Sequence, residues 1–171
     1  MSRGFSCISL FNPKTPENVG GVLRASYAYG VSQVNIAGRR TCWNWMGKAI
    51  NHATNTPRAH RHTPVFRVSD PLEYLPFDCP VVAVDLIDGA KPLPAFQHPE
   101  KAVYVFGPED GTLGKSVTER AQHVVYVPTR TCMNLAATVN VVLYDRLCKR
   151  GKDAPAFASE SATDFYKRGA A

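Results

Sequence analysis

Apolar positions along the chain fall into two patterns. Short runs at Cys7–Phe11, Val34–Ala37, Val81–Leu86, Val103–Phe106 and Val124–Val127 are rich in Val, Leu and Phe and are apolar along most of their length, as buried strands are. Between them lie segments with helical spacing. Val19, Val22, Leu23 and Ser26 share one face of a helix that Asn18 is expected to cap and Gly30 to end. Leu135, Val139, Val142, Leu143 and Leu147 predict a final helix from Asn134 to about Lys149. The alternation predicts an α/β domain built on a mostly parallel sheet flanked by helices. A chain of 171 residues can bury one good core, not two. Residues 1–150 therefore read as one domain, and 151–171, rich in Ala, Ser, Gly and charge, as a flexible C-terminal tail.

Composition adds less. Hydrophobic residues make up 44% and charged residues 20%, the balance of a soluble globular protein. No apolar run approaches the roughly 18 to 20 residues of a membrane span. The N-terminus lacks the apolar stretch and cleavage site of a secretory signal, so a cytoplasmic location is expected. The five cysteines (Cys7, Cys42, Cys79, Cys132, Cys148) are widely spaced and contain no Cys-x-x-Cys, which points to reduced thiols and to no metal site. The net charge of +6 and a pI near 9.2 suit a polyanionic partner. Gly38 to His62 carries Arg39, Arg40, Lys48, Arg58 and Arg61 among Trp43, Trp45, His60 and His62. This mixture of cations and rings fits an RNA surface, and equally a solvated loop and helix face with its tryptophans on the core.

Three segments carry candidate chemistry. In the first, Gly20 and Gly21 are expected to expose backbone near a helix N-terminus, where unpaired N–H groups and the helix dipole favour an anion. Arg24, off the apolar stripe, has the planar, permanently charged fork that grips phosphate. In the second, Gly107 follows a strand and permits close backbone approach, and Glu109 is placed to accept bonds from amides of its own loop or to orient a partner's side chain. In the third, Pro128 stiffens a turn and Asn134 can cap the last helix. No Gly-x-Gly-x-x-Gly follows the first strand, so the dinucleotide fingerprint is missing.

Asn12-Pro-Lys-Thr-Pro-Glu-Asn-Val-Gly-Gly-Val-Leu-Arg24, Phe106-Gly-Pro-Glu-Asp-Gly-Thr-Leu113 and Val127-Pro-Thr-Arg-Thr-Cys-Met-Asn-Leu135 resemble, in order and spacing, motifs 1, 2 and 3 of the SpoU-type (TrmH-like) SPOUT RNA 2′-O-ribose methyltransferases. The likeness runs from about Cys7 to Lys149 and is closest to the minimal single-domain, TrmL-like members. It implies a C-terminal deep trefoil knot, a homodimer, and S-adenosylmethionine held by Gly107, Val127, Cys132, Met133 and Leu135. It also implies catalysis by Arg24 with Asn18, Glu109, Cys132 and Asn134. The substrate implied is RNA, tRNA before ribosomal RNA and possible at the wobble ribose, with Arg39, Arg40, Arg58 and Arg61 on its phosphates. Two departures stand out: Thr112 precedes Leu113 where the family commonly has Gly, and Cys132 stands where Ser is frequent. The alternatives are a ribosomal RNA 2′-O-methyltransferase, a base methyltransferase, or a knotted RNA-binding protein without turnover.

Overall fold

The strand-like runs lie side by side. In the computed structural model, which describes residues 4–150, β1 (Ser6–Phe11), β2 (Gln33–Ala37), β3 (Val65–Val68), β4 (Val81–Val84), β5 (Lys91–Pro92), β6 (Ala102–Phe106) and β7 (His123–Tyr126) form one sheet. Their order is β3-β2-β1-β6-β4-β7-β5 and every pairing is parallel. β7 inserts between β4 and β5, which are consecutive in the chain, so the connection from 85 to 90 spans it. The helices are α1 (Pro16–Ala28), α2 (Trp43–Ile50), the single turn α3 (Lys115–Thr118) and α4 (Leu135–Arg150). The expected tail, 151–171, lies outside the described residues.

Because side chains alternate along a strand, the sheet feeds two cores. Ile8, Leu10, Val34, Ile36, Val82, Tyr104 and Phe106 meet Val19, Val22 and Leu23 of α1, Met46 and Ala49 of α2, and Leu135, Val139, Val142 and Leu143 of α4. Cys7, Val81, Ala83, Val103 and Val105 meet Leu113 and Val117 on the other side. Each large side chain so enclosed contributes about 1.5–3 kcal/mol of transfer free energy. The run expected to reach Leu86 leaves the sheet after Val84. Asp85 turns its carboxylate onto the Leu113 N–H (2.8 Å), and Leu86 is 72% exposed.

The start of α1 corrects the sequence reading. Thr15, not Asn18, is the N-cap: its Oγ1 accepts the Asn18 N–H (3.3 Å), and Pro16 takes the first helical position, where a missing N–H costs nothing. The C-terminus is as expected. Gly30, at φ +67, lets Val31 N–H reach the Ser26 carbonyl (2.8 Å) while its own N–H meets that of Tyr27 (3.1 Å), the paired bonds of a Schellman end. Gly20 and Gly21 are not open backbone for an anion. A β-carbon on Gly20 would sit 2.3 Å from Thr54 Oγ1, and one on Gly21 2.8 Å from Ala136 Cβ. Their role is to let the 52–54 loop and α4 close on α1. At the head of α4 Asn134 is the cap, its Oδ1 accepting the Ala137 N–H (2.7 Å).

α4 is tied to the sheet by a buried polar network. Arg146, 7% exposed, donates to the carbonyls of Pro99 (2.7 Å), Glu100 (2.7 Å) and Phe5 (3.3 Å) and to Tyr104 Oη (2.9 Å). His98 lies between Tyr104 Oη (2.7 Å) and Asp145 Oδ2 (2.8 Å). The neutral ring serves both: Nε2–H donates to Asp145 and Nδ1 accepts the Tyr104 hydroxyl. Burial holds the His98 pKa below its ordinary 6.5, against the pull of Asp145. A group whose folded pKa is depressed contributes stability above its unfolded pKa and loses it as pH falls. Urea midpoints of the wild type are therefore expected to drop between pH 7 and 5 more steeply than those of His98→Gln, whose amide makes both bonds without titrating. Equal slopes would remove His98 from the acid response.

Candidate active site

In open parallel sheets ligands bind beyond the carboxyl ends of the strands, where neighbouring strands send their connections in opposite directions. Here that point lies between β1 and β6. After β1 the chain turns to β2 on one side, and after β6 to β7 on the other. The loops that leave there are 12–15, opening α1, and 107–114, leading to α3.

Glu109 joins them. Its carboxylate accepts the Lys14 N–H (2.7 Å), the Asn18 side-chain amide (2.7 Å) and, more loosely, the Thr15 hydroxyl (3.5 Å). An acid at the first turn of α1 also suits the helix dipole. Its partners belong to the first motif rather than to its own loop, so Asn18 and Glu109 form one unit across 91 residues of chain. Beside them Asp110 takes the Arg40 guanidinium at 3.0 and 3.2 Å and Lys14 Nζ at 3.5 Å. The Arg40 hydrogen bond, first among the causes, keeps the Asp110 carboxyl below its usual range.

The third loop follows β7, two strands from β6, and reaches α1 through α4, where Ala136 faces Gly21. Residues 128–133 close on themselves through Thr129 Oγ1, which donates to the Thr131 carbonyl (2.8 Å). The other backbone groups of this segment make no hydrogen bond among the described residues. Cys132 is exposed, Met133 and Val127 are half-buried, and Leu135 is buried. Leu86 stands exposed just beyond the end of the intervening β4. Apolar side chains beside backbone groups with spare hydrogen-bonding capacity are what an adenosine and its sulfonium-bearing chain require of a pocket, so these loops fit S-adenosylmethionine. At Gly107 a β-carbon would lie 3.2 Å from Leu113 N, so glycine lets the second loop fold back tightly.

Arg24 is exposed on the third turn of α1. At roughly 100° per residue it projects between the directions of Gly20 and Gly21. No hydrogen bond or ion pair holds its guanidinium among the described residues, nor does one link it to Asn18, Glu109, Cys132 or Asn134. Arg39, Arg58 and Arg61 are exposed, whereas Arg40 is engaged with Asp110. Trp45 packs against the core; the side chain of Trp43 lies outside what the structure describes. His62 stacks on Tyr27 of α1 at 4.8 Å between ring centroids. An open cleft of about 1010 Å³ runs between the start of α1 and α2, lined by Glu17, Asn44, Lys48, Asn51 and His52 among others. None of the residues expected to hold the cofactor lines it. Among the described residues, no group of three or more His, Cys, Asp or Glu is placed to bind a metal, and no helix is long and apolar enough to cross a membrane.

The parallel sheet, the acid-latched helix at its switch point and the third loop define an α/β domain without a dinucleotide fingerprint. The sequence model of the SpoU rRNA methylase family matches residues 6–144, and the chain belongs to that family, whose members are S-adenosylmethionine-dependent RNA methyltransferases. No curated protein sequence matches it. The SpoU methyltransferase AviRb from Streptomyces viridochromogenes superposes with a TM-score of 0.74 at 18% identity, over 87% of this chain and 61% of AviRb. AviRb in complex with AdoMet gives 0.72, also at 18% identity, over 88% and 62%. A structure described as addressing 2-OH methylation of C/U34 on tRNA matches at 0.70 and 20% identity, over 88% of this chain and 93% of that one. The chain thus spans about three fifths of AviRb, and at these identities the likeness is one of fold.

Proposed function

We propose that this chain transfers a methyl group to a ribose 2′-hydroxyl of RNA, tRNA being the favoured substrate. The observation that carries the reading is the Glu109 bridge, which joins the second family motif to the first at the switch point of a sheet whose third motif lies two strands away. S-adenosylmethionine, held by Gly107, Val127, Cys132, Met133 and Leu135, supplies an electrophilic methyl on its sulfonium. The rest is positioning and charge. Glu109 fixes Asn18 and the first turn of α1, Asn134 holds the start of α4, and Cys132 lies beside it as a weak donor. Arg24 grips the phosphate next to the target ribose, and its charge favours the oxygen nucleophile as the hydroxyl proton passes to solvent water and the demethylated thioether leaves. Arg39, Arg58 and Arg61 extend the phosphate track.

Supporting a homodimer, α4 leaves Val141, Tyr144 and Leu147 38%, 59% and 37% exposed, an apolar stripe beside α1 that a second copy would cover, bringing its own Arg24 towards the motif loops. The C-terminal knot belongs to the same proposal, as do residues 1–150 as the catalytic domain and a cytoplasmic location. The full alignment with the tRNA 2-OH methylation structure along 93% of its length favours tRNA over ribosomal RNA. Incubating the purified chain and S-adenosylmethionine with tRNA and with ribosomal RNA, then analysing nucleosides by mass spectrometry, tests this. A 2′-O-methyl nucleoside in tRNA is expected. Product only in ribosomal RNA moves the substrate, a base-methylated nucleoside overturns the reaction, and no product in either leaves a binding protein.

A further inference from the structure

The pairing of Arg40 with Asp110 has a wider setting. Between residues 18 and 69 the chain has seven Lys or Arg and no Asp or Glu. Apart from Glu17 at its rim, the surface that α1, the loop after β2, α2 and the 51–62 segment present is therefore cationic. Glu109 and Asp110 reach it from the second motif loop. Glu109 is spent on the start of α1, and Asp110 alone is applied to the free cations: its two oxygens lie on the two terminal nitrogens of Arg40, and Lys14 approaches the same carboxylate. Two-oxygen engagement of a guanidinium fork is the geometry that a phosphate also adopts.

Asp110 is not the fork's only support. Gly38, at φ +114, brings the loop after β2 so close to Asn12 that a β-carbon would lie 2.7 Å from Asn12 Cα. Asn12 N–H donates to the Ala37 carbonyl (2.7 Å). Asn12 Oδ1 receives the Arg40 N–H (3.3 Å) and its carbonyl the Arg40 guanidinium (3.4 Å). Nor does the motif loop need Asp110 to stay put, since Glu109 and the Asp85–Leu113 bond already anchor it. What Asp110 adds is one carboxylate on two cations, with side chains of Asp110, Arg40 and Lys14 38%, 39% and 55% exposed. Ion pairs between exposed groups are weak and yield to a better anion.

We infer that Lys14 and Arg40 form a phosphate subsite for RNA at the mouth of the candidate active site, and that the Asp110 carboxylate is its built-in competitor. The inference rests on the RNA methyltransferase reading for the identity of the polyanion. RNA binding must displace Asp110, so weak or non-specific strands are disfavoured, and a backbone that also reaches Arg24, Arg58 and Arg61 is selected. Lys14, absent from the residues expected to touch RNA, joins them, and Arg40 changes from a free contact to a contested one.

A double-mutant cycle tests this by fluorescence anisotropy, with labelled single-stranded 20-nucleotide RNA and with total tRNA, over a series of salt concentrations. Asp110→Asn is expected to tighten binding about threefold or more at moderate salt and to steepen the log–log salt slope by roughly 0.7 on the single strand, the increment of one phosphate. In the Lys14→Ala/Arg40→Ala background the same change is expected to shift affinity less than about twofold. Glu119→Gln, at the opposite end of the sheet, controls for net charge. Equal tightening by Asp110→Asn in both backgrounds, tightening matched by Glu119→Gln, weaker RNA binding, or no RNA binding by the wild type would each overturn the inference. Methyl transfer by the wild type reports separately: product without the cycle's coupling sinks the subsite alone, and coupling without product sinks the reaction but not the subsite.

Discussion

Arg24→Ala is expected to lower single-turnover methyl transfer by about a hundredfold or more while leaving thermal stability and cofactor affinity within error of the wild type. The two halves of this expectation have different origins. Arg24 is exposed, lies off the stripe formed by Val19, Val22 and Leu23, and is held by no hydrogen bond or ion pair among the described residues. Truncating such a side chain normally changes stability by no more than about 0.5 kcal/mol. A guanidinium with no structural work is nonetheless one of the few groups here suited to hold a phosphate in a fixed plane. Loss of a group that both orients the reacting ribose and offsets developing charge commonly costs two or more orders of magnitude in rate. Arg24→Lys separates the contributions, because lysine keeps the charge and loses the fork. Recovery to within about tenfold would assign the effect to charge, and continued inactivity to planar geometry. Near-normal turnover in Arg24→Ala would remove the residue from the mechanism.

The largest effect on folding is expected at Arg146, far from the chemistry. Arg146→Met keeps the length and apolar stem of the side chain but leaves the carbonyls of Phe5, Pro99 and Glu100 and the Tyr104 hydroxyl without their donor. These acceptors come from the residue before β1, the segment before β6 and β6 itself, so one guanidinium closes the lower end of the sheet onto α4. A buried acceptor stripped of its partner costs roughly 1–3 kcal/mol, and some of these can be rescued by water. A loss of about 3 kcal/mol is expected, measured by urea unfolding. Tyr104→Phe removes one of the four Arg146 bonds together with the bond between Tyr104 and His98 (2.7 Å) and is expected to cost about 1–2 kcal/mol. If Arg146→Met costs less than Tyr104→Phe, the guanidinium is not what joins α4 to the sheet.

The parts of the fold legible from sequence are those where burial is symmetrical. All five apolar runs are strands because helices or loops cover both faces, which makes the hydrophobic signal continuous. β3 escaped notice because it is an edge strand whose central Phe66 and Arg67 are exposed, and β5 because it is two residues long and ends in Pro92. The misplaced cap of α1 had its remedy in the chain: Pro16 after Thr15 is a stronger mark of a helix start than a lone Asn18. Gly20 and Gly21 illustrate an ambiguity that no local pattern resolves. The same absence of a β-carbon can admit a ligand or a neighbouring segment of the chain, and only the positions of Thr54 and Ala136 decide for the 52–54 loop and α4.

The site shows the same division. The residues of each motif could be read one segment at a time, but the pairing of Glu109 with Asn18 and of Asp110 with Arg40 joins residues 91 and 70 positions apart. Side-chain bonds between loops leave no periodic trace. They follow from the switch of direction between β1 and β6, which becomes visible only when the strand order is known.

The central claim, methyl transfer to a ribose oxygen, is tested most directly by the fate of the transferred group. After reaction with methyl-labelled S-adenosylmethionine, the RNA is hydrolysed in alkali, which requires a free 2′-hydroxyl to cleave the adjoining phosphodiester. The account expects the label in alkali-resistant dinucleotides from tRNA treated with the wild type, and about a hundredth as much or less after the same brief treatment with Arg24→Ala. Label recovered in mononucleotides would place the methyl on a base and contradict it, as would RNA that remains unlabelled.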